Sequence, residues 1–414
     1  MKLVLAIPFV KLPRLPSFHL SYSVPKVRIP FLSLLVEPRS LKKWIFIWAF
    51  CLYLAFCWAC YFTWEQPRLD RESGARFGAD SPTYWEEVDY RKEHADTRMP
   101  LISFSANMLG PIAIGMALRS GFVVVLFDML LFFVAVEVAC SIPGVDRYRL
   151  LFLLAISSET APALVTLNKE ILVLFSMFLF AKYVYSERPS KLLLGLVMFI
   201  SLFARWEQIA IILLFIFLRR KGSFFARNPR LAVLSVIAVL TVAYGLIARI
   251  PGSGIGAFTQ YTRNANTIAK LDAIQANFGF PLVLAPKIIM DVSGELLRPR
   301  TYLSEFETIG WGDIHSMFIL PLFSMVLIPT LVIAYRRGLL NPKRPIALLI
   351  LIYLLMTAVT PFVQPRYNYF VYVLLCLEFA RREKPDEEKQ EVTPPLKSVP
   401  RIADLNRNPE YSGF

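Results

Sequence analysis

The chain has 414 residues, of which 56% are hydrophobic and only 18% charged, with a mean hydropathy of +0.51. That balance excludes an ordinary soluble globular fold of this length and indicates an integral membrane protein. The formal net charge of +14 does not argue for nucleic acid, because Lys and Arg gather beside apolar runs; anionic membrane lipids are the simpler partner.

The opening MKLVLAIPFVKLPRLP has an apolar core too short for a signal peptide and no small-residue cleavage site, so the first helix is expected to stay as an anchor. Residues 1–43 carry eight Lys and Arg against Glu37 alone and are assigned to the cytoplasm. The uncharged run 44–64 matches the roughly 20 residues that a helix needs to cross a bilayer core. Repeated runs of this kind, without alternating strands, predict an all-α polytopic transmembrane bundle rather than a β-barrel. The five cysteines lie in apolar runs and the three histidines are scattered, so no disulfide, metal site or cofactor is expected.

Basic segments 218–230, 335–344 and 380–384 are placed in the cytoplasm with the N-terminus. Counting back from Arg219, helices over 207–218, 191–204, 171–185 and 150–167 alternate, and the run 121–142 crosses inward. Residues 101–118 are then an interfacial or re-entrant helix. The alternative is a full crossing there and one long helix over 191–218, which would move Asn168–Glu170 to the cytoplasm. Onward, 231–249, 315–335, 346–362 and 367–380 cross, giving about ten spans with both termini cytoplasmic. The transmembrane domain is 44–380 with external loops 65–105 and 250–314, and the Pro-rich charged tail 381–414 is expected to be disordered. Helices of only 14–16 apolar residues suggest outer ends that stop at a water-filled cavity.

Parity brings several polar clusters to the outer side, where charges at helix ends face protein or a wet cavity. Arg366 lies between Pro365, which stops a helix, and Tyr367, which begins the last one; its planar fork suits phosphate, or it is an interfacial anchor. Arg205, Trp206 and Glu207 form either a sugar-binding platform or an ion pair closing the bundle. Lys169 and Glu170 make either a salt-bridged turn or a phosphate ligand beside a base. Asp80 caps a short helix or accepts a proton from a sugar hydroxyl, with Glu86, Glu87 and Asp89 as competitors. The apolar stretch 280–297 reads as an amphipathic lid over the cavity mouth, with Arg263, Lys287, Arg298 and Arg300 near a lipid head group.

The motifs ADSPTY, NMLGP, NKEILVLF, ERPSKLLLGLVMFISLFARWE and QPRYNYF span roughly residues 75–370. In that order they resemble bacterial O-antigen and exopolysaccharide repeat-unit polymerases and, more loosely, GT-C type membrane glycosyltransferases. The resemblance implies sugar transfer at the outer face of a bacterial inner membrane from a polyprenyl diphosphate-linked saccharide, with other polysaccharide assembly proteins as partners. By it Arg366 and Arg205 contact the diphosphate, Lys169 supports them, and Asp80 or Glu170 is the base. Asp80 lacks the adjacent acid of many GT-C enzymes, which argues against a metal-dependent reaction. A transporter or flippase of a lipid-linked sugar is the runner-up, weakened by the lack of a visible internal repeat.

Overall fold

The computed structural model describes residues 43–69, 77–78, 80–94, 108–220, 222–247, 265–297, 299–309, 313–360 and 364–381. Among them the chain is almost entirely helical and has no strand, with one isolated backbone bridge between Val145 and Arg381.

Helix α1 (Lys43–Glu65) is the first uncharged run, its last turn widened to a π-helix. The loop after it carries α2 (Ser81–Glu93) and α3 (Leu109–Leu118), packed so closely that a Cβ on Gly115 would meet Val88 Cγ2 at 2.7 Å. The ten residues of α3 reach about 15 Å, half a hydrocarbon core. Arg119, at φ 60°, then turns the chain straight into α4 (Gly121–Cys140). Of the stretch 101–118 read as interfacial or re-entrant, residues 101–107 lie outside the described residues.

The single helix read over 150–167 is two, α5 (Arg147–Ile156) and α6 (Thr160–Val165). Ser157 is extended, and the polar run Ser157–Thr160 starts a new helix in which the Thr160 hydroxyl donates to Leu154 O at 2.7 Å. Pro162 falls in the first turn of α6, where its missing N–H costs nothing.

Helices α7 (Glu170–Tyr185), α8 (Lys191–Ala204) and α9 (Trp206–Arg219) follow. The backbone is extended at Arg205 (φ −157°, ψ 111°), so the alternative of one long helix over 191–218 fails. The remainder is α10 (Pro229–Ile247), α11 (Ala265–Phe278), α12 (Phe280–Ser293), α13 (Pro299–Ile309), α14 (His315–Arg336), α15 (Pro345–Val359) and α16 (Tyr369–Ala380).

Four helices among the described residues, α1, α4, α10 and α14, are long and apolar enough to cross a membrane. The first two present large apolar side chains outward, including Trp44, Trp48 and Phe56 on α1 and Phe122, Leu126 and Leu130 on α4. Such faces suit lipid rather than water. The interior holds shorter helices, and every residue of α16 is buried. At 16 and 12 residues, α7 and α16 reach only about 24 and 18 Å.

Helices α7, α9, α15 and α16 run between the same two ends. At one, Arg219 donates to Lys343 O (3.3 Å), Arg344 pairs with Glu378 (3.8 Å), and Arg381 lies 4.0 Å above the Tyr185 ring. These belong to the basic loops expected to share a side. The opposite ends carry Glu170, Arg205 and Arg366, from the polar clusters expected to share the other side.

Candidate functional site

Each charged group at this second end is aimed by local sequence. Pro365 opens a single 3₁₀ turn, Pro365–Asn368, between α15 and α16. The turn sits tightly on Gly294, whose φ of +50° and ψ of −127° suit glycine alone. A Cβ there would lie 2.5 Å from Pro365 Cγ. Asn368 anchors the turn by donating to Asp291 O at 3.2 Å. In the Asn168-Lys169-Glu170 motif, the Asn168 side chain accepts the N–H groups of Lys169 (2.7 Å) and Glu170 (3.4 Å), which fixes both at the start of α7. Arg205 enters because the chain breaks between α8 and α9 at that residue.

Asp80 occupies the N-cap position of α2, yet its carboxylate makes no capping bond. Instead Arg366 Nη1 lies 3.2 Å and Lys169 Nζ 3.8 Å from its Oδ2, and the Tyr84 hydroxyl donates to the same oxygen at 3.5 Å. Capping therefore does not explain this residue. Burial alone would raise the Asp80 carboxyl, but Arg366 and Lys169 outweigh it and hold the group at about 2, below the ordinary carboxylate range. A lowered folded-state value means that these pairs stabilise the protein above the ordinary range and lose that effect as pH falls through about 2.

Beside this trio, Arg205 Nη2 meets Glu170 Oε1 at 3.1 Å. Its guanidinium carbon stands 5.1 Å from the Tyr367 ring centre and 5.0 Å from that of Phe370. The Arg366 guanidinium lies 5.2 Å from the same Tyr367 ring and donates to its hydroxyl at 3.3 Å. One tyrosine thus ties two arginines together. Nε of Arg205 and Nε of Arg366 are buried with no hydrogen-bond partner among the described residues. Unpaired buried N–H groups on cations are costly and suit an acceptor-rich anion.

These groups border one cavity of about 450 Å³, within the ~300–1,000 Å³ range of ligand pockets. Asp80, Lys169, Arg205, Glu207, Arg366 and Tyr367 line it. Glu170 stands immediately behind, holding Arg205. Trp206 is not on this wall; half exposed at the first turn of α9, it stacks on nothing in the cavity.

Of the groups read as flanking a head group, Lys287 is turned inward. Fully buried, it binds Asp272 Oδ1 at 2.6 Å and donates to Thr360 O at 3.4 Å, so α12 is pinned to the bundle by its cation. Arg263 and Arg298 lie outside the described residues; Arg300 is on α13, with its side chain likewise outside them. Glu87 pairs with Arg91 (2.8 Å) and Asp89 with Lys92 (3.3 Å) along α2, leaving Asp80 as the carboxylate of that loop that holds the pocket arginine.

The sequence reading missed a buried pair. His315 Nε2 lies 3.3 Å from Glu159 Oε1, and His315 lines a 170 Å³ polar chamber bordered also by Asp80 and Arg366. The polar Ser157–Thr160 interruption of an apolar run was the available signal.

Compared with protein-family models, characterised proteins and solved structures, the chain matches none.

Proposed function

We propose that the protein is a membrane glycosyltransferase of the polysaccharide polymerase type, joining sugars or repeat units from a polyprenyl diphosphate-linked donor at the outer face of a bacterial inner membrane. In this reading the chain crosses about ten times, the shorter helices ending at the cavity, and both termini are cytoplasmic. The observation that carries it is the gathering of Lys169, Arg205 and Arg366 on one cavity, with guanidinium N–H groups left over after the internal pairs are made. Two planar forks and one ammonium match the oxygens of a diphosphate.

The chemistry follows from where charge develops. An acceptor hydroxyl attacks the anomeric carbon, the bond from that carbon to the diphosphate oxygen breaks, and the departing diphosphate takes the electron pair. Arg205, Arg366 and Lys169 stabilise that charge in a partly dry pocket. The acceptor's proton goes to a carboxylate. Asp80, held at about 2, is a weak base and serves as the counter-ion that aims Arg366. Glu207, on the cavity wall, is the carboxylate assigned to receive the proton.

The test is binding by the purified, lipid-reconstituted protein of undecaprenyl diphosphate against undecaprenol. The diphosphate should bind on the order of a hundredfold more tightly, since charge-assisted hydrogen bonds contribute about 1.5–3 kcal/mol each. Arg205→Ala should remove about tenfold or more of that preference. Equal binding of the two lipids would contradict the proposal.

A further inference from the structure

A second cavity, of about 380 Å³, lies between α3, α4, α7 and α8. Among the described residues no polar or charged side chain lines it. Gly110, Ala113 and Ala117 form its α3 side, Leu172 its α7 side, and Phe199 and Phe203 its α8 side. Ile114 and Leu118 complete the α3 side and Ile200 the α8 side, and the small residues opposite the rings leave a slot rather than a packed interface. Its depth is set where α3 touches α8, since a Cβ on Gly110 would lie 2.3 Å from Phe203 O and 2.8 Å from Leu172 Cδ1.

Three elements wall both this groove and the charged cavity. The segment leading into α3 gives Met108 to the charged cavity, and Gly110 faces the groove. The start of α7 gives Lys169 to one and Leu172 to the other. The α8–α9 break gives Arg205 to one, and Phe203 just before it to the other. An anion site and an apolar slot thus lie back to back across a single turn of each element. Only an amphiphile with an anionic head and an apolar chain uses both.

Resting on the function proposed above, we infer that this groove holds the first isoprene units of the donor lipid while its diphosphate occupies the charged cavity. That places the chain between α3 and α8, and not under the 280–297 segment, where Lys287 pins α12 to Asp272. The occupant is the tail of the substrate rather than a bulk phospholipid, because the groove abuts a pocket with guanidinium groups for more than one phosphate oxygen. A tail leaving the bilayer for the groove gains packing but little hydrophobic energy, so its effect is moderate.

The experiment compares two donors carrying the same saccharide diphosphate, one on an undecaprenyl chain and one on a methyl group too short to enter the groove, with the reconstituted protein. Wild type should show a KM about tenfold lower for the long chain. Ala113→Trp, which fills the groove, should raise the long-chain KM to the short-chain value and leave short-chain kcat and KM unchanged. Phe199→Ala, at a largely exposed ring, should move the long-chain KM in the same direction by a smaller factor. Equal KM values for both chains in wild type, or equal losses for both donors in the variants, would overturn the groove assignment. Failure of wild type to bind either donor would instead remove the sugar-transfer reading itself.

Discussion

On the proposed function, replacing Arg366 with alanine should abolish glycan polymerisation while the protein still inserts and accumulates. Its guanidinium is one of two forks on the cavity and the nearer partner of Asp80, at 3.2 Å against 3.8 Å for Lys169. Removing it has two consequences. The developing charge on the leaving diphosphate loses a preorganised donor, a change that costs about 10²–10³-fold in turnover at comparable sites. The Asp80 carboxylate also turns to Lys169, the remaining cation, and withdraws that ammonium from the substrate. The two effects compound, so the loss exceeds that of a single contact. Arg366→Lys should recover only part of the activity, because an ammonium keeps the charge but not the fork. The measurement is the length distribution of cell-surface glycan, normalised to the protein in the membrane. An unchanged ladder in Arg366→Ala would take this residue out of the site.

The largest effect on stability is expected at Lys287, far from the motifs that draw attention in the sequence. Its side chain is fully buried, 2.6 Å from Asp272 Oδ1, and its ammonium lies 5.7 Å from the Tyr244 ring centre. Lys287→Ala strands the Asp272 carboxylate in an apolar surround, and breaking a buried pair on one side costs about 3–5 kcal/mol. The variant should therefore melt well below wild type in detergent. The double replacement Lys287→Met with Asp272→Leu should recover most of that loss, because the charge and its counter-charge leave together. A single variant as stable as wild type would mean that the pair is not a structural pin.

Much of the architecture was legible because a bilayer imposes few solutions. Long apolar runs became α1, α4, α10 and α14, and the breaks at Arg205 and Pro365 lie where a charge or a proline interrupts an apolar stretch. Residues from four regions of the chain, Asp80, Lys169, Arg205 and Arg366, were grouped by loop charge and parity, and they meet at one cavity.

What escaped the sequence depends on partners far apart in it. Nothing near His315 announces Glu159, and nothing near Lys287 identifies Asp272 as the neighbour that permits its burial. From the sequence Lys287 therefore reads as a cation near a lipid head group on an amphipathic lid. Trp206 lies off the cavity wall for a different reason. It follows Arg205 directly, but the extended residue between α8 and α9 sends the arginine inward and leaves the ring facing out. The groove beside α3 also has no sequence signature, since Gly110, Ala113 and Ala117 read equally well as a close-packed helix face.

The claim on which the rest depends is that the charged cavity opens away from the cytosol and holds the lipid diphosphate. In a variant without the native cysteines, single cysteines at Thr83, on α2, and Thr360, after α15, probe the cavity wall from two elements without replacing its charges. In spheroplasts, both should react with a membrane-impermeant thiol reagent applied from outside, and undecaprenyl diphosphate should slow both reactions together. Labelling from the cytoplasmic side alone, or protection of one position without the other, would contradict the account.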